Sequence, residues 1–176
     1  MSEAQAAPIC VISCCDARVD PMSIFDALPG DLFVIRNVAN LVPPFKAGGG
    51  LQGTSTAIEF AVRQLRVETI LVLGHARCGG VRAAVDGTGP DAVFLKSWID
   101  LLEEAKARVG FDDGEALEEA SIKVSLERLM TFPFVADAVK AGRLKLAGAR
   151  FSIFDGRLTM LNSQGEFADV DTEPTG

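Results

Sequence analysis

Cys10, Cys14 and Cys15 stand within six positions, and the fourth cysteine, Cys78, lies three residues after His75, the one histidine in 176 residues. Two thiolates and an imidazole are soft or borderline donors that suit zinc, and with only three of them a tetrahedral ion keeps one corner for water. That arrangement belongs to catalytic sites, so Cys14, His75 and Cys78 are the candidate ligands. A lone histidine is more often a satisfied core residue, but here it sits in Gly74-His75-Ala76-Arg77-Cys78-Gly79-Gly80. Spacing alone leaves two other readings open: inert buried thiols, and redox chemistry. Cys10 and Cys15 could pair with Cys14, but successive strand residues face opposite ways, and both are expected to fill core.

Cys14-Cys15-Asp16-Ala17-Arg18 places a carboxylate and a guanidinium two and four residues beyond the first candidate ligand. An Arg two positions after an Asp can hold it with two parallel hydrogen bonds. Taken alone, such a pair reads first as an ordinary loop ion pair. Gly48-Gly49-Gly50-Leu51-Gln52-Gly53-Thr54-Ser55 resembles a phosphate-binding loop, yet it lacks the Lys before Thr54 and follows Pro43-Pro44 in place of a strand. Nucleotide binding is not expected from it.

The elements that must position these residues alternate. Ile9 to Ser13 is a β-branched apolar run that reads as a buried strand ending near Cys14; Leu32 to Ile35 is a second, and Thr69 to Leu73 a third, interrupted by Gly74 just before His75. Ile58, Ala61, Val62 and Leu65 recur at helical spacing, with Thr56-Ala57-Ile58-Glu59 as a capping box. Phe94, Trp98, Leu101, Leu102 and Ala105 form a second helical stripe opposite Lys96, Asp100, Glu103, Glu104 and Lys106. Residues 110 to 119 read as an acidic linker, and a further helix runs from about Ile122 toward Gly142, broken or restarted at Pro133. Phe151 to Phe154 and Leu158 to Leu161 flank Asp155-Gly156-Arg157, a hairpin signal. Together these predict one α/β domain over residues 1–176: a mainly parallel sheet flanked by helices, with an antiparallel C-terminal edge hairpin. In such sheets the functional crevice lies beyond the carboxyl ends of the strands, where Cys14, His75 and Cys78 fall.

With 48% hydrophobic and 23% charged residues the chain can bury a core. A net charge of -7 and a pI near 4.7 argue against nucleic acid and anionic membrane as partners. No stretch nears the roughly 20 apolar residues of a membrane span, and the first fifteen residues lack a signal-peptide pattern, so a cytoplasmic location is expected. Clustered thiols in a reducing compartment point to metal or redox chemistry and not to a disulfide framework.

Cys14-x-Asp16-x-Arg18 followed some 60 residues later by His75-x-x-Cys78, with Arg36-Asn37-Val38-Ala39-Asn40-Leu41-Val42 between, resembles the paired signature of β-class carbonic anhydrases. The similarity runs from Gln5 to the final hairpin and includes Ser125 to Phe134; Pro43-Pro44 and Gly53-Thr54 look plant-like. The resemblance implies one Zn²⁺ per chain on Cys14, His75 and Cys78, and reversible hydration of carbon dioxide to bicarbonate by zinc-bound hydroxide. It implies that Asp16, held by Arg18, accepts a hydrogen bond from the zinc-bound water, or swings onto the metal in a closed state. It further implies Gln5, Phe33, Val38, Phe60 and the backbone at Gly79 as substrate-binding positions, and a homodimer or tetramer. The chain departs from the pattern at Phe60, where tyrosine is frequent, at Lys123 and Arg128, often asparagines, and in lacking the helical arm that usually precedes the glutamine. The same hydroxide could attack carbonyl sulfide or carbon disulfide, and a non-catalytic zinc-stabilised interaction domain is the alternative from another class.

Overall fold

The β-branched run begins strand β1 (Ile9–Cys14), which is buried along nearly its whole length between two parallel neighbours. A computed structural model describes residues 5–110 and 113–170. Strand β2 (Leu32–Asn37) lies on one side of β1, and β3 (Thr69–His75) on the other. Parallel β4 (Lys145–Phe151) follows, then antiparallel β5 (Leu158–Leu161) and β6 (Phe167–Asp169), giving the sheet order β2-β1-β3-β4-β5-β6. The expected mainly parallel sheet with an antiparallel C-terminal hairpin is thus found, with β6 extending the edge. Ser13 is level with Leu73, so the strand ends carrying Cys14 and His75 finish side by side.

The helices meet the two faces unequally. After the short helix α1 (Pro21–Ile24), Ile24 and Phe25 pack on the face that carries Val11, Leu71, Leu73 and Ala149. The other face, with Cys10, Ile12, Ile70 and Val72, takes Ile58, Ala61 and Val62 from α2 (Gly53–Glu59) and its π-helical continuation to Leu65. It also takes Ile122 and Leu129 of α6 (Gly114–Leu129) and Val135 and Ala138 of α7 (Pro133–Lys140). Toward the strand ends, α3 (Gly79–Asp86), α4 (Val93–Ile99) and α5 (Glu103–Val109) close over Cys14 and Cys78.

Four expectations need correction. The capping box at Thr56 does not form: helix α2 starts at Gly53, and the Thr56 hydroxyl donates back to the Gln52 carbonyl at 2.9 Å from inside the helix. Phe94 is 88% exposed, because the 3₁₀ turn Asp100–Leu102 between α4 and α5 rotates the stripe, leaving Ile99, Leu102 and Ala105 as its buried members. Lys106, expected on the polar side, is buried with its ammonium on Glu103 Oε1 at 2.6 Å. The expected linker is largely helix: Asp113 accepts from the N–H groups of Glu115 and Ala116, capping α6, and only residues 111–112 lie outside the described structure.

Strand β3 runs through Gly74 to His75, and helix α6 lies directly on it there. A Cβ at Gly74 would meet Ile122 Cδ1 at 2.7 Å and Cγ1 at 2.9 Å. Gly74→Ala should therefore cost about 1–3 kcal/mol by overpacking, and far less in an Ile122→Ala background, where those atoms are gone. Urea unfolding of the four chains measures the coupling; costs that add to within about 0.5 kcal/mol would contradict the contact.

Candidate metal centre

Two of the three donors end strands, Cys14 at the end of β1 and His75 at the end of β3, and the turn after β3 carries the third, Cys78. Cys14, His75 and Cys78 are all buried, and one ligand atom from each lies within 4.8 Å of the others. The two sulfurs are 3.9 Å apart, close to the roughly 3.8 Å that two 2.3 Å Zn–S bonds subtend at a tetrahedral centre. His75 Nδ1 lies 3.0 Å from the Ala76 carbonyl, which can only accept, so Nδ1 carries the proton. Nε2 is left buried with no hydrogen-bond partner in the described structure. An orphaned ring nitrogen beside two thiols is a donor set that fits zinc, with the backbone carbonyl fixing the ring tautomer as metal-ligating histidines require.

The protonation pattern points the same way. The hydrogen bond from Cys78 draws the Cys14 thiol down to about 4, against its burial, with His75 assisting. Cys78, which then keeps the shared proton and is buried, is pushed far up. Burial opposes charge on His75, but the negative charge of the neighbouring Cys14 sulfur outweighs it and raises its pKa. The pair thus favours loss of one of its two protons, and a cation would favour loss of both.

Arg18 holds Asp16 as the spacing allows: Nε donates to Oδ1 at 2.9 Å and Nη2 to Oδ2 at 2.6 Å. The Arg18 N–H adds a bond to Oδ1 at 3.0 Å. These bonds to Arg18 keep the Asp16 carboxyl far below the usual carboxylate range. Asp16 Oδ2 stands 4.0 Å from His75 Nε2, beside the three donors and not among them.

Two residues to which sequence reasoning gave no role of their own hold the backbone around the three donors. Arg36 donates to the carbonyls of Cys14 at 3.0 Å, Asp16 at 2.7 Å and Val19 at 3.1 Å, pinning the segment from β2. Glu118 accepts from the Cys78 N–H at 3.3 Å. Arg36 was visible only as part of a motif, and Glu118 was hidden in the supposed linker. Gly80 lets α3 approach the turn at Val38–Asn40: a Cβ there would meet Ala39 Cβ and Val38 Cγ1, each at 2.8 Å.

The positions expected to bind substrate are dispersed. Val38 packs beside Cys14 and Cys78 and lines an apolar cleft of about 930 Å³ with Cys15, Asn37, Leu51, Phe94 and Trp98. Phe33 and Phe60 stack on each other, ring centres 5.9 Å apart. Gly79 opens α3 immediately after Cys78. Gln5 is exposed ahead of β1 and makes no hydrogen bond to the site among the described residues.

The other thiols divide. Cys10 is fully buried, as expected of core, and burial pushes its thiol up to about 12. Cys15 is exposed, not core, because it follows the end of β1 and turns outward. Alkylation of the zinc-loaded chain should therefore modify one cysteine, Cys15, and chelation should add Cys14 and Cys78, while Cys10 waits for unfolding. Three fast thiols in the zinc-loaded chain, by mass spectrometry, would contradict the site.

Comparison with known proteins adds to this geometry. The family model described as carbonic anhydrase matches residues 9–158. Beta carbonic anhydrase 5, chloroplastic, of Arabidopsis thaliana is 39% identical over 165 residues, covering 88% of this chain and 54% of the relative. Beta carbonic anhydrase 6, mitochondrial, of the same plant is 37% identical over 163 residues, covering 86% and 56%. The chain thus spans about half the length of these curated relatives. Among solved structures, the beta-carbonic anhydrase CcaA superposes with a TM-score of 0.88 at 29% identity, over 95% of this chain and 85% of that one. One of two tetrameric beta-carbonic anhydrases from Sordaria macrospora gives a TM-score of 0.77 at 30% identity, over 90% and 82%.

Proposed function

The chain belongs to the β-class carbonic anhydrase family, and from that premise we propose that it holds one zinc ion on Cys14, His75 and Cys78 and reversibly hydrates carbon dioxide to bicarbonate and a proton. The observation that carries this reading is the unpartnered His75 Nε2, buried beside two sulfurs 3.9 Å apart, with Asp16 held to Arg18 next to it. A zinc ion in such a donor set supplies, when bound, a water acidic enough to lose its proton near neutral pH.

The chain's own residues then have separate parts. Cys14 and Cys78 bring negative charge that offsets the cation, and His75 donates through Nε2 because its Nδ1–H is committed to the Ala76 carbonyl. Asp16 stays ionised throughout the working range, since its carboxyl lies far below the ordinary value. It is therefore poorly suited to remove a proton and well suited to orient the attacking water by accepting a hydrogen bond. Arg18 keeps that carboxylate from turning toward the donors. Val38, Phe33 and Phe60 offer apolar contact to a neutral, linear substrate, and Gln5 and the Gly79 N–H are proposed to bind its oxygen. With the chain's one histidine used as a ligand, no imidazole remains to carry the proton away.

We propose a dimer or tetramer, supported by the tetrameric Sordaria macrospora neighbour and by the exposed Leu51, Val93 and Phe94. A cytoplasmic location is likewise a proposal, resting on four unpaired cysteines; the two plant relatives are named for chloroplast and mitochondrion.

Stopped-flow hydration of carbon dioxide on the purified chain, with zinc measured on the same sample, tests the function. About one zinc per chain, with turnover that climbs as buffer concentration is raised, is the expected result; one zinc with no hydration would overturn it. Asp16→Asn should keep its zinc and lose turnover on the order of a hundredfold. With the metal-bound water as the titrating group and Asp16 charged across neutral pH, the rate should rise with pH in the unsubstituted chain and in Asp16→Asn alike, and a flat profile in that variant would make Asp16 the titrating base instead.

A further inference from the structure

Glu118 is only 5% exposed and lies on the buried side of α6 with Leu117, Ala120 and Ser121, where a charge must find partners. Its two oxygens are divided between two tasks. Oε2 accepts from Arg150 Nε at 3.1 Å and Nη2 at 2.9 Å, tying α6 to β4. Oε1 accepts from the backbone N–H of Cys78 at 3.3 Å. The same peptide group is held at its other end, because the Arg77 carbonyl accepts from Arg18 Nη2 at 3.3 Å. A carboxylate at the N–H end and a guanidinium at the carbonyl end match the direction of the peptide dipole.

That peptide needs holding. Arg77 has φ of +55°, the left-handed region that a residue with a Cβ occupies at a cost, so the turn from His75 to Cys78 is not the backbone's own preference. We infer that Glu118 is a positioning residue for the metal centre: by fixing the Arg77–Cys78 peptide it sets the Cys78 sulfur at the spacing from Cys14 that a tetrahedral cation requires. The inference rests on the proposed zinc site and adds a residue outside its ligand set. Through Arg18, the carboxylate that orients the attacking water and the loop that carries Cys78 are joined to one another. Glu118 and Arg150 therefore form the far end of a chain of charges: Asp16, Arg18, the 77–78 peptide, Glu118, Arg150.

The role separates from plain structural support in two variants. Glu118→Leu combined with Arg150→Met replaces a buried ion pair by apolar side chains, an exchange often tolerated by the fold, and removes the acceptor from Cys78 N–H. Glu118→Gln breaks the ion pair but keeps an amide oxygen for that N–H. Zinc release to a chromophoric chelator is followed for both and for the unsubstituted chain, with Leu129→Ala as a destabilised control remote from the turn. The cobalt-loaded forms report the same geometry through their thiolate charge-transfer bands. The double variant should release zinc roughly ten to a hundred times faster, as loss of an outer-shell partner does, with an altered charge-transfer band. Glu118→Gln should stay within about threefold of the unsubstituted rate, by the retained acceptor. A folded double variant that releases zinc at the unsubstituted rate overturns the inference, as does a Glu118→Gln chain as leaky as the double variant, or release rates that follow thermal stability alone through Leu129→Ala. An unsubstituted chain that takes up no zinc would instead overturn the metal site itself.

Discussion

A buried imidazole nitrogen with nothing to bond is the constraint around which the site is organised. Leaving a polar atom unpaired in a protein interior costs about 1–3 kcal/mol, and His75 Nε2 is placed there by a hydrogen bond that the same ring makes through Nδ1 to Ala76. A cation would account for this placement. It would supply the missing partner of Nε2 and answer the sulfurs of Cys14 and Cys78, 3.9 Å apart.

Around that nitrogen the backbone is held in forms it would not choose alone. Ala39 and Asn40 take positive φ values of 63° and 48° in the turn after β2, as Arg77 does in the turn after β3. Side chains hold both turns: at the first, Asn37 bonds the Leu41 N–H and carbonyl at 2.8 and 2.9 Å and Trp98 donates to the Val38 carbonyl at 2.8 Å; at the second, Arg18 donates to the Arg77 carbonyl and Glu118 accepts from the Cys78 N–H, each at 3.3 Å. Strain of this kind persists only where its surroundings over-determine it, and it gathers at functional sites. The close approach of α3 to Val38 and Ala39, which Gly80 permits, brings the two turns together.

The grouping of the three candidate donors was legible because its parts are local. Cys14 ends an apolar β-branched run, and His75 and Cys78 follow another, so the parallel pairing of β1 with β3 was enough to bring them together. The pair Asp16 and Arg18 was legible for the same reason. What escaped the sequence was decided by tertiary contact. Glu118 belongs to a stretch dense in acidic residues, and only the docking of α6 on β3 and β4 turns one of those carboxylates inward toward Cys78 and Arg150. Phe94 carries the apolar character of its stripe, yet the 3₁₀ turn after Ile99 leaves it outside. A cap signal at Thr56 lost to the earlier start of the helix at Gly53. Local pattern predicts elements well; it does not give the phase at which one element meets another.

X-ray absorption at the zinc edge of the purified, metal-loaded chain tests the central claim most directly. Two sulfurs near 2.3 Å and two lighter atoms near 2.0 Å, one of them with the scattering pattern of an imidazole, are the shell that Cys14, Cys78, His75 and one solvent oxygen give. A shell without sulfur, with a single sulfur, or with four protein donors and no place for solvent would contradict it.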